Sequence, residues 1–517
     1  MNGERLQWPF RAMVFVAIAV VVMLSATIPG RIADGAYLNH VSGTWAALAD
    51  DAARGVLYRP LLSADGYGGT RYFPLPFLAH GLLAQMGIPL LPAGHALSLA
   101  AGILLVFASA LALSRRGATT VLAWSFGALT LASPIAFGAL GSIRGDVLPL
   151  ALGVLGVALA PRQLKDPIWP CAVVIALAML AKPTLVWAPC GVAIAIGVRQ
   201  SPWQAARLLA MAAVVWLAGF GACLWWSEGN MLTGFHATAL GGGLSIETLV
   251  FNLRGAFHPS ALLWIGGGLS VTLLRGRRGM LDAIGAALLI CLPITLVVFA
   301  SPGISINMLF DADALGALAL GAALLDGEFR SRITPAVMGL AAMLGVVEAV
   351  AGRPDIVHRS ELQLTAAALP TGVAPVLSEH PWIPLLAGER PFLLDPFSLR
   401  QTRIFSAAVD RDLLARLDAK GFRAVVLLGR PETSEDWYQH FQFGPGFTKH
   451  LLKSYRFDRV VGGFVLYLPR DNVSEETPGR ASAPELDPTY LDRLFGPRPL
   501  RKLLDRLRGK NSGESKP

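Results

Sequence analysis

Asp34 stands a few residues beyond the apolar stretch 11–29. Its loop runs on through Gly35-Ala36-Tyr37, Trp45, Asp50-Asp51, Tyr58, Arg59, Tyr67 and Arg71-Tyr72-Phe73-Pro74-Leu75-Pro76. A carboxylate so close to a membrane-length segment is costly unless it is solvated or in use. Asp34 therefore reads either as a solvated cap or loop residue or as part of a site. The acids, Arg59 and tyrosines in the same loop favour the second reading.

Four further groups carry charge where an apolar chain has little need of it. Arg144-Gly145-Asp146 puts both signs into a short connection, as an ion pair capping two helix ends or as part of a site. Lys182-Pro183-Thr184 interrupts an apolar stretch. The lysine either snorkels to the interface or meets an anion at the depth of a lipid phosphate. The loop 227–259 carries Glu228, His236, Gly241-Gly242-Gly243, Glu247 and Arg254. Its glycine triplet lacks a following Lys-Ser/Thr, so it reads as a mobile loop or a lid and not as a phosphate cradle. Asn307-Met308-Leu309-Phe310-Asp311-Ala312-Asp313 opens a late apolar span, where acids suit the positive end of a helix dipole. Asp313 reads as structural and Asp311 stays open. Together these residues can hold a lipid-linked anion with Lys or Arg while a carboxylate activates an acceptor.

The elements that must position them are membrane spans. Of 517 residues, 54% are hydrophobic and 15% charged, which fits no soluble chain of this length. Eleven apolar stretches are expected to cross a bilayer: 11–29, 94–114, 119–141, 146–161, 168–181, 185–198, 206–226, 260–274, 281–300, 309–325 and 333–351. The first reads as an uncleaved anchor, since Ser25-Ala26-Thr27 makes a poor cleavage site and many spans come after it. The segment 72–88, bracketed by Pro74, Pro76, Pro89 and Pro92, is expected to lie in the interface without crossing.

The basic residues Arg115-Arg116, Arg162 with Lys165, Arg199, Arg275 with Arg277 and Arg278, and Arg330 with Arg332 all fall on one side if the N-terminus is cytoplasmic. The loops 30–93, 142–145, 227–259 and 301–308 then face outward. Past Gly352 the apolar runs shorten to strand length at Pro375–Leu377, Phe392–Asp395, Ala424–Leu428 and Gly463–Leu468, with helical spacing over 409–420. The expected organisation is a membrane domain over 1–351, a small extracytoplasmic α/β domain over 352–470, and a disordered basic tail over 471–517 that includes a short basic helix at 498–508.

The net charge of +9, from 44 basic and 35 acidic residues, comes from inside-loop arginines and not from a nucleic-acid partner. No basic stripe with interleaved aromatics is present. Cys171, Cys190, Cys223 and Cys291 all lie inside expected spans without metal-ligand spacing and read as structural.

The first span followed by an Asp, an aromatic, a Gly-x-x-Tyr segment and the Arg71–Pro76 stretch resembles membrane glycosyltransferases of the GT-C superfamily. The likeness is to the protein mannosyltransferase and aminoarabinose transferase group and to the bacterial lipid-linked-sugar transferases near it. It covers roughly 1–350, and the outer domain resembles what several of these proteins carry after the last span. The resemblance implies that Asp34 is the catalytic base and Asp146 the second acid. It places Lys182 at the donor phosphate, Arg71 as the basic residue before the proline pair, and Gly303 with Asn307 at the opening of a late span. Arg144 and Tyr72 join the substrate-binding group. Many relatives have Asp-Glu where this chain has Asp34-Gly35, and a lysine where it has Arg71.

The activity that the resemblance implies is transfer, with inversion, of a hexosyl or pentosyl group from a polyprenyl-phosphate-linked sugar to a lipid, glycan or protein acceptor outside a bacterial inner membrane. The reading fixes no cofactor and leaves room for a divalent metal: Asp146 could orient the acceptor, steady Arg144 or hold a divalent ion. The alternative from the same charges is a transporter or flippase of a lipid-linked sugar or small solute. Against it, the charges gather at span ends and not in broken helices at mid-membrane. A third reading is a scaffold whose outer domain binds a partner.

Overall fold

The computed structural model describes residues 7–240, 243–256, 258–304, 306–326, 333–352 and 357–470. The tail 471–517 with its expected helix at 498–508, Arg330 with Arg332, and Gly241-Gly242 lie outside the described residues.

Helix α1 (Gln7–Asp34) leads into two helices of the first loop, α2 (His40–Ala53) and α3 (Pro74–Gln85). The bundle continues with α4 (Leu90–Ser114), α5 (Thr120–Leu129), α6 (Pro134–Gly141), α7 (Val147–Ala158), α8 (Trp169–Ala181), α9 (Trp187–Arg199) and α10 (Pro202–Trp226). After these come α11 (Asn230–Phe235), α12 (Ile246–Gly255), α13 (Pro259–Arg277), α14 (Ala283–Phe299), α15 (Phe310–Leu325) and α16 (Ile333–Ala351).

Among the described residues five helices are long and apolar enough to cross a membrane, and seven spans result if the bent pairs α5–α6 and α12–α13 each count as one. Shorter apolar helices fill the remaining expected stretches: α7, α8, α9 with the turn before it, and α14. The chain is a polytopic α-helical membrane protein.

The expected span 119–141 is not continuous, because α5 and α6 meet at 84°. Pro134 has no N–H and cannot continue a helix, and Ser133 starts a new one by accepting a hydrogen bond from Ala136 N at 3.2 Å. The first loop also contains α2, a helix that its sequence pattern does not signal. Asn39 caps it, accepting from Ser42 N at 3.1 Å.

Helix α15 runs through the middle of the bundle, buried from Phe310 to Leu324. It crosses α13 closely, because a Cβ on Gly268 would lie 2.5 Å from Gly316 Cα. Cys171 and Cys291 pack in the same apolar core.

At one end of the bundle the arginine loops converge. Asp282 pairs with Arg116 at 3.1 Å and Arg275 at 2.9 Å, while Arg199 donates to Met280 O at 2.7 Å and Arg115 to Ala158 O at 2.5 Å. The last two guanidiniums satisfy backbone carbonyls left open where the chain leaves regular helix.

At the other end sits a four-stranded sheet with helices. It comprises α17 (Arg359–Ala367), β1 (Val376–Ser378), α18 (Trp382–Leu386), α19 (Pro396–Phe405), α20 (Ala407–Asp418), β2 (Ala424–Leu427), α21 (Glu435–His440), α22 (Phe447–Ser454), β3 (Tyr455–Val461) and β4 (Phe464–Pro469). Strand order is β1-β2-β4-β3, with β1 parallel to β2 (Leu377 opposite Val425) and the other pairs antiparallel.

One expectation changes here, and one strand lies outside the expected runs. The segment Phe392–Asp395 is no strand and makes only one bridge, Leu393 to Tyr67, since Pro391 and Pro396 flank it and Asp395 is spent capping α19. Strand β3 escapes a search for apolar runs because Arg456, Asp458 and Arg459 mark it as a charged edge strand.

The first loop and this domain form one packed body. Leu38, Trp45, Tyr58 and Phe77 share an apolar cluster with Trp382, Ile383, Val426 and Phe464. Buried Asp51 binds Arg59 through Nε at 2.5 Å and Nη2 at 2.8 Å, and Arg390 Nε at 2.8 Å. Trp382 Nε1 donates to Ser42 Oγ at 3.0 Å, and His380 Nε2 donates to the Leu38 carbonyl at 3.1 Å. The loop and the domain therefore lie on the same side of the membrane, which requires an even number of crossings between them.

Candidate active site

The site is assembled where helices stop. Helix α7 begins just after Asp146. Helix α8 ends at Lys182, whose extended backbone and following Pro183 break the chain into a short 3-10 turn before α9. Helix α15 opens after the turn Ile306–Leu309. These three breaks bring charged side chains together that are far apart in sequence.

Lys182 lies between two carboxylates, its Nζ 3.5 Å from Asp146 Oδ1 and 3.9 Å from Asp311 Oδ1. Asn307 Nδ2 donates to Asp146 Oδ2 at 2.9 Å, and Trp187 Nε1 donates to Asp311 Oδ2 at 3.2 Å. Lys182 is 8% exposed and Asp311 4%, and neither Lys182 Nζ nor Asp311 Oδ1 has a hydrogen-bond partner. One ammonium faces two acids in this half of the site.

The other half is cationic. Arg71 donates through Nη1 to Pro302 O at 2.9 Å and through Nη2 to Gly303 O. Its guanidinium lies over the Phe397 ring, 5.5 Å from the centroid, as does that of Arg400. Gly303, at φ +70°, has no room for a side chain, since a Cβ there would come within 2.5 Å of Phe397. Arg144 Nε and Arg400 Nε are buried without partners, and burial lowers the Arg400 pKa from its ordinary value.

Tyr72 joins the halves. Burial pushes its hydroxyl up to about 12, with Asp395 and Asp146 raising it and Arg71 and Arg144 acting against them. Its ring stacks on Trp45 at 4.4 Å, and its carbonyl accepts from Tyr58 OH at 2.9 Å. Trp45 in turn lies so close to Gly145 that a Cβ there would be 2.3 Å from the indole. The spacing Arg144-Gly145-Asp146 thus places two charges on either side of an indole edge.

No family model matches this sequence, and no curated protein matches it. Solved structures do. ArnT from Cupriavidus metallidurans in the apo state superposes with a TM-score of 0.58 at 14% identity, covering 87% of this chain and 98% of that one. ArnT bound to undecaprenyl phosphate gives 0.58 at 13% identity over 89% and 99%. The Archaeoglobus fulgidus oligosaccharyltransferase in the apo form gives 0.52 at 13% identity, covering 93% of this chain and 76% of that one. The chain has the GT-C fold.

On this GT-C scaffold Asp34 is the last residue of α1 and is exposed, with no hydrogen bond or ion pair among the described residues. The turn after it is fixed at Tyr37, which accepts from Arg31 Nη1 at 2.7 Å and packs on α6, 3.0 Å from where a Gly141 Cβ would be. Helix α6 leads directly to Arg144 and Asp146. Gly35 has φ +78°, and a Cβ there would lie 2.6 Å from Arg359 N, so a glutamate after Asp34 cannot be accommodated here without moving α17. Asp50 pairs with Arg54 at 2.9 Å on the surface, and Asp51 is committed to Arg59 and Arg390. Neither of these two acids stands in for a missing one.

A divalent ion does not fit the Asp146–Asp311 pair as it stands. The Lys182 ammonium occupies the space between the carboxylates, and no cluster of three His, Cys, Asp or Glu among the described residues is placed to hold a metal. The site also includes residues that sequence reasoning did not assign. Phe397 and Arg400 come from the α/β domain and gather with Arg71 only through tertiary packing, which leaves no local signal. Trp187 hides in an apolar run. Asp311 gives a signal, an acid in the first turn of an apolar span, but no indication of its partner.

Proposed function

We propose that this chain is a membrane glycosyltransferase that moves a sugar from a polyprenyl-phosphate carrier to an acceptor on the extracytoplasmic face. The observation that carries the reading is the gathering of Arg71 and Arg144 around Tyr72, with Arg400 sharing the Phe397 ring with Arg71, beside a Lys182–Asp146–Asp311 cluster. The same architecture in ArnT has been solved with undecaprenyl phosphate. Fold alone hosts many activities, so the argument rests on the residues.

Arg71, Arg144 and Arg400 hold the carrier phosphate. Asp34, exposed and free of partners among the described residues, takes the proton from the acceptor nucleophile. The nucleophile attacks the anomeric carbon as the bond from that carbon to the phosphate oxygen breaks. The electron pair leaves with the phosphate, where the arginines stabilise the developing charge. One displacement of this kind inverts the anomeric centre. Asp146, held by Asn307 and Lys182, orients the sugar or acceptor and does not itself need to change protonation.

The arginine loops at the opposite end of the bundle support a cytoplasmic N-terminus with the outer domain on the far side, and a bacterial inner membrane is the setting. The test is binding of polyprenyl-phosphate sugars to purified protein, wild type against Arg71→Ala and Asp34→Asn. Loss of donor in the first, and retained donor without turnover in the second, is the expected pattern. A wild type that binds no such lipid would sink the reading.

A further inference from the structure

A small cavity adjoins the Lys182 cluster, with room for a water-sized group. Its walls are Thr184 and Trp187 ahead of and within α9, Cys291 and Thr295 on α14, and Met308 and Asp311 where α15 opens. Three polar atoms around it lack partners: Thr184 Oγ1, Asp311 Oδ1 and, next to Asp311, Lys182 Nζ. Buried groups of this kind are expensive unless something completes them.

We propose that this cavity receives a hydroxyl-bearing edge of the donor sugar and selects uncharged sugars over those bearing a carboxylate. The proposal rests on the glycosyltransferase reading. Lys182 Nζ and Asp311 Oδ1 are 3.9 Å apart, so one hydroxyl oxygen at about 2.8 Å from each forms a triangle with them. It accepts from the ammonium and donates to the carboxylate, and Thr184 is free to do either for a neighbouring hydroxyl.

A carboxylate placed there finds one ammonium already shared by Asp146 and Asp311. It comes as a third acid at close range to two that already share that ammonium, in a water-poor site, and has no cation of its own. The carrier phosphate is spared this repulsion because it lies among the arginines.

The experiment measures binding of three lipids to the full-length protein in detergent: polyprenyl phosphate alone, polyprenyl-phosphate hexose and polyprenyl-phosphate hexuronate. Wild type should bind the hexose lipid about 10- to 100-fold more tightly than the hexuronate lipid, the range expected of hydrogen bonds to charged groups. Asp311→Asn should bring the two within about threefold of one another while affinity for bare polyprenyl phosphate stays unchanged. Thr184→Val, which keeps the shape and the charges, should weaken the hexose lipid alone by roughly tenfold.

Equal binding of hexose and hexuronate by wild type overturns the proposal. So does an unchanged ratio in Asp311→Asn together with wild-type hexose binding in Thr184→Val, which would leave the cavity as the seat of a structural water only. If bare polyprenyl phosphate binds but the ratio does not respond, the inference fails and the glycosyltransferase reading survives. If none of the three lipids binds, both fall.

Discussion

Asp51→Asn should separate the first loop from the α/β domain at a cost far above that of an ordinary surface substitution. The Asp51 side chain is 2% exposed and that of Arg59 1%, and they meet through two hydrogen bonds at 2.5 and 2.8 Å. Arg59 also donates to Pro391 O at 2.5 Å, and Arg390 adds a bond to Asp51 at 2.8 Å. Asparagine keeps the volume but removes the charge and turns an N–H₂ toward a guanidinium. Arg59 is then buried without a counter-ion, which costs about 3–5 kcal/mol. Arg390→Ala should cost no more than about 1 kcal/mol, because that side chain is a quarter exposed and its partner keeps Arg59. Thermal denaturation in detergent, followed by limited proteolysis across 54–73, reads both variants. The reasoning is refuted if Asp51→Asn melts like wild type and the loop stays as protease-resistant, or if Arg390→Ala is the more damaging of the two.

Asp34→Asn should lower the rate of sugar transfer by about 10²- to 10⁴-fold with donor affinity retained, measured as kcat against lipid binding. Arg71→Ala should weaken binding of bare polyprenyl phosphate by about tenfold or more, and raising the salt concentration should not mimic it, since the site is partly buried. Glu379 accepts from Leu428 N, Trp437 Nε1 and Tyr438 OH, yet burial pushes its pKa up to about 7 from 4.5. Its contribution to stability is therefore full below about pH 4.5 and is lost as pH rises through about 7, on the order of 3 kcal/mol in total. Glu379→Gln should flatten the fall in melting temperature between pH 5 and 8.

How much of this is legible in the sequence depends on where the information lies. Spans such as Leu90–Ser114 and Ile333–Ala351 announce themselves, because lipid demands long apolar runs and nothing else satisfies their backbone. The break at Lys182-Pro183 is equally plain, since a proline after a lysine leaves the helix no way to continue. The bend after Thr130 is hidden by an apolar run that spans it, although Ser133-Pro134 carries the cap and the breaker that explain it. Pairing is not legible at all. Nothing local says that Asp311 meets Lys182, or that Phe397 and Arg400 reach Arg71 across 326 and 329 positions of chain. Those contacts come from packing the α/β domain on the first loop. Asp50 and Asp51, alike in sequence, part company only in the fold, one on the surface and one at the centre of an ionic latch.

Lys182 shows how such partners change the meaning of a residue. Alone, an ammonium at an outer helix end reads as a phosphate ligand. Between Asp146 and Asp311 it also has a second role open to it, as the cation that two buried carboxylates share. Two consequences distinguish the roles. If Lys182 served mainly the phosphate, Lys182→Met would lose bare polyprenyl phosphate and keep its stability. As the cation between two buried carboxylates, its removal leaves Asp146 and Asp311 facing each other, and the fold should lose about 3–5 kcal/mol unless one acid takes up a proton. Adding Asp311→Asn to Lys182→Met should then restore part of that loss, because Asp146 alone still keeps its bond from Asn307. Melting temperatures of the single and double variants, read beside carrier binding, decide between them. A double variant no more stable than Lys182→Met, with carrier affinity lost in both, would return the lysine to the phosphate.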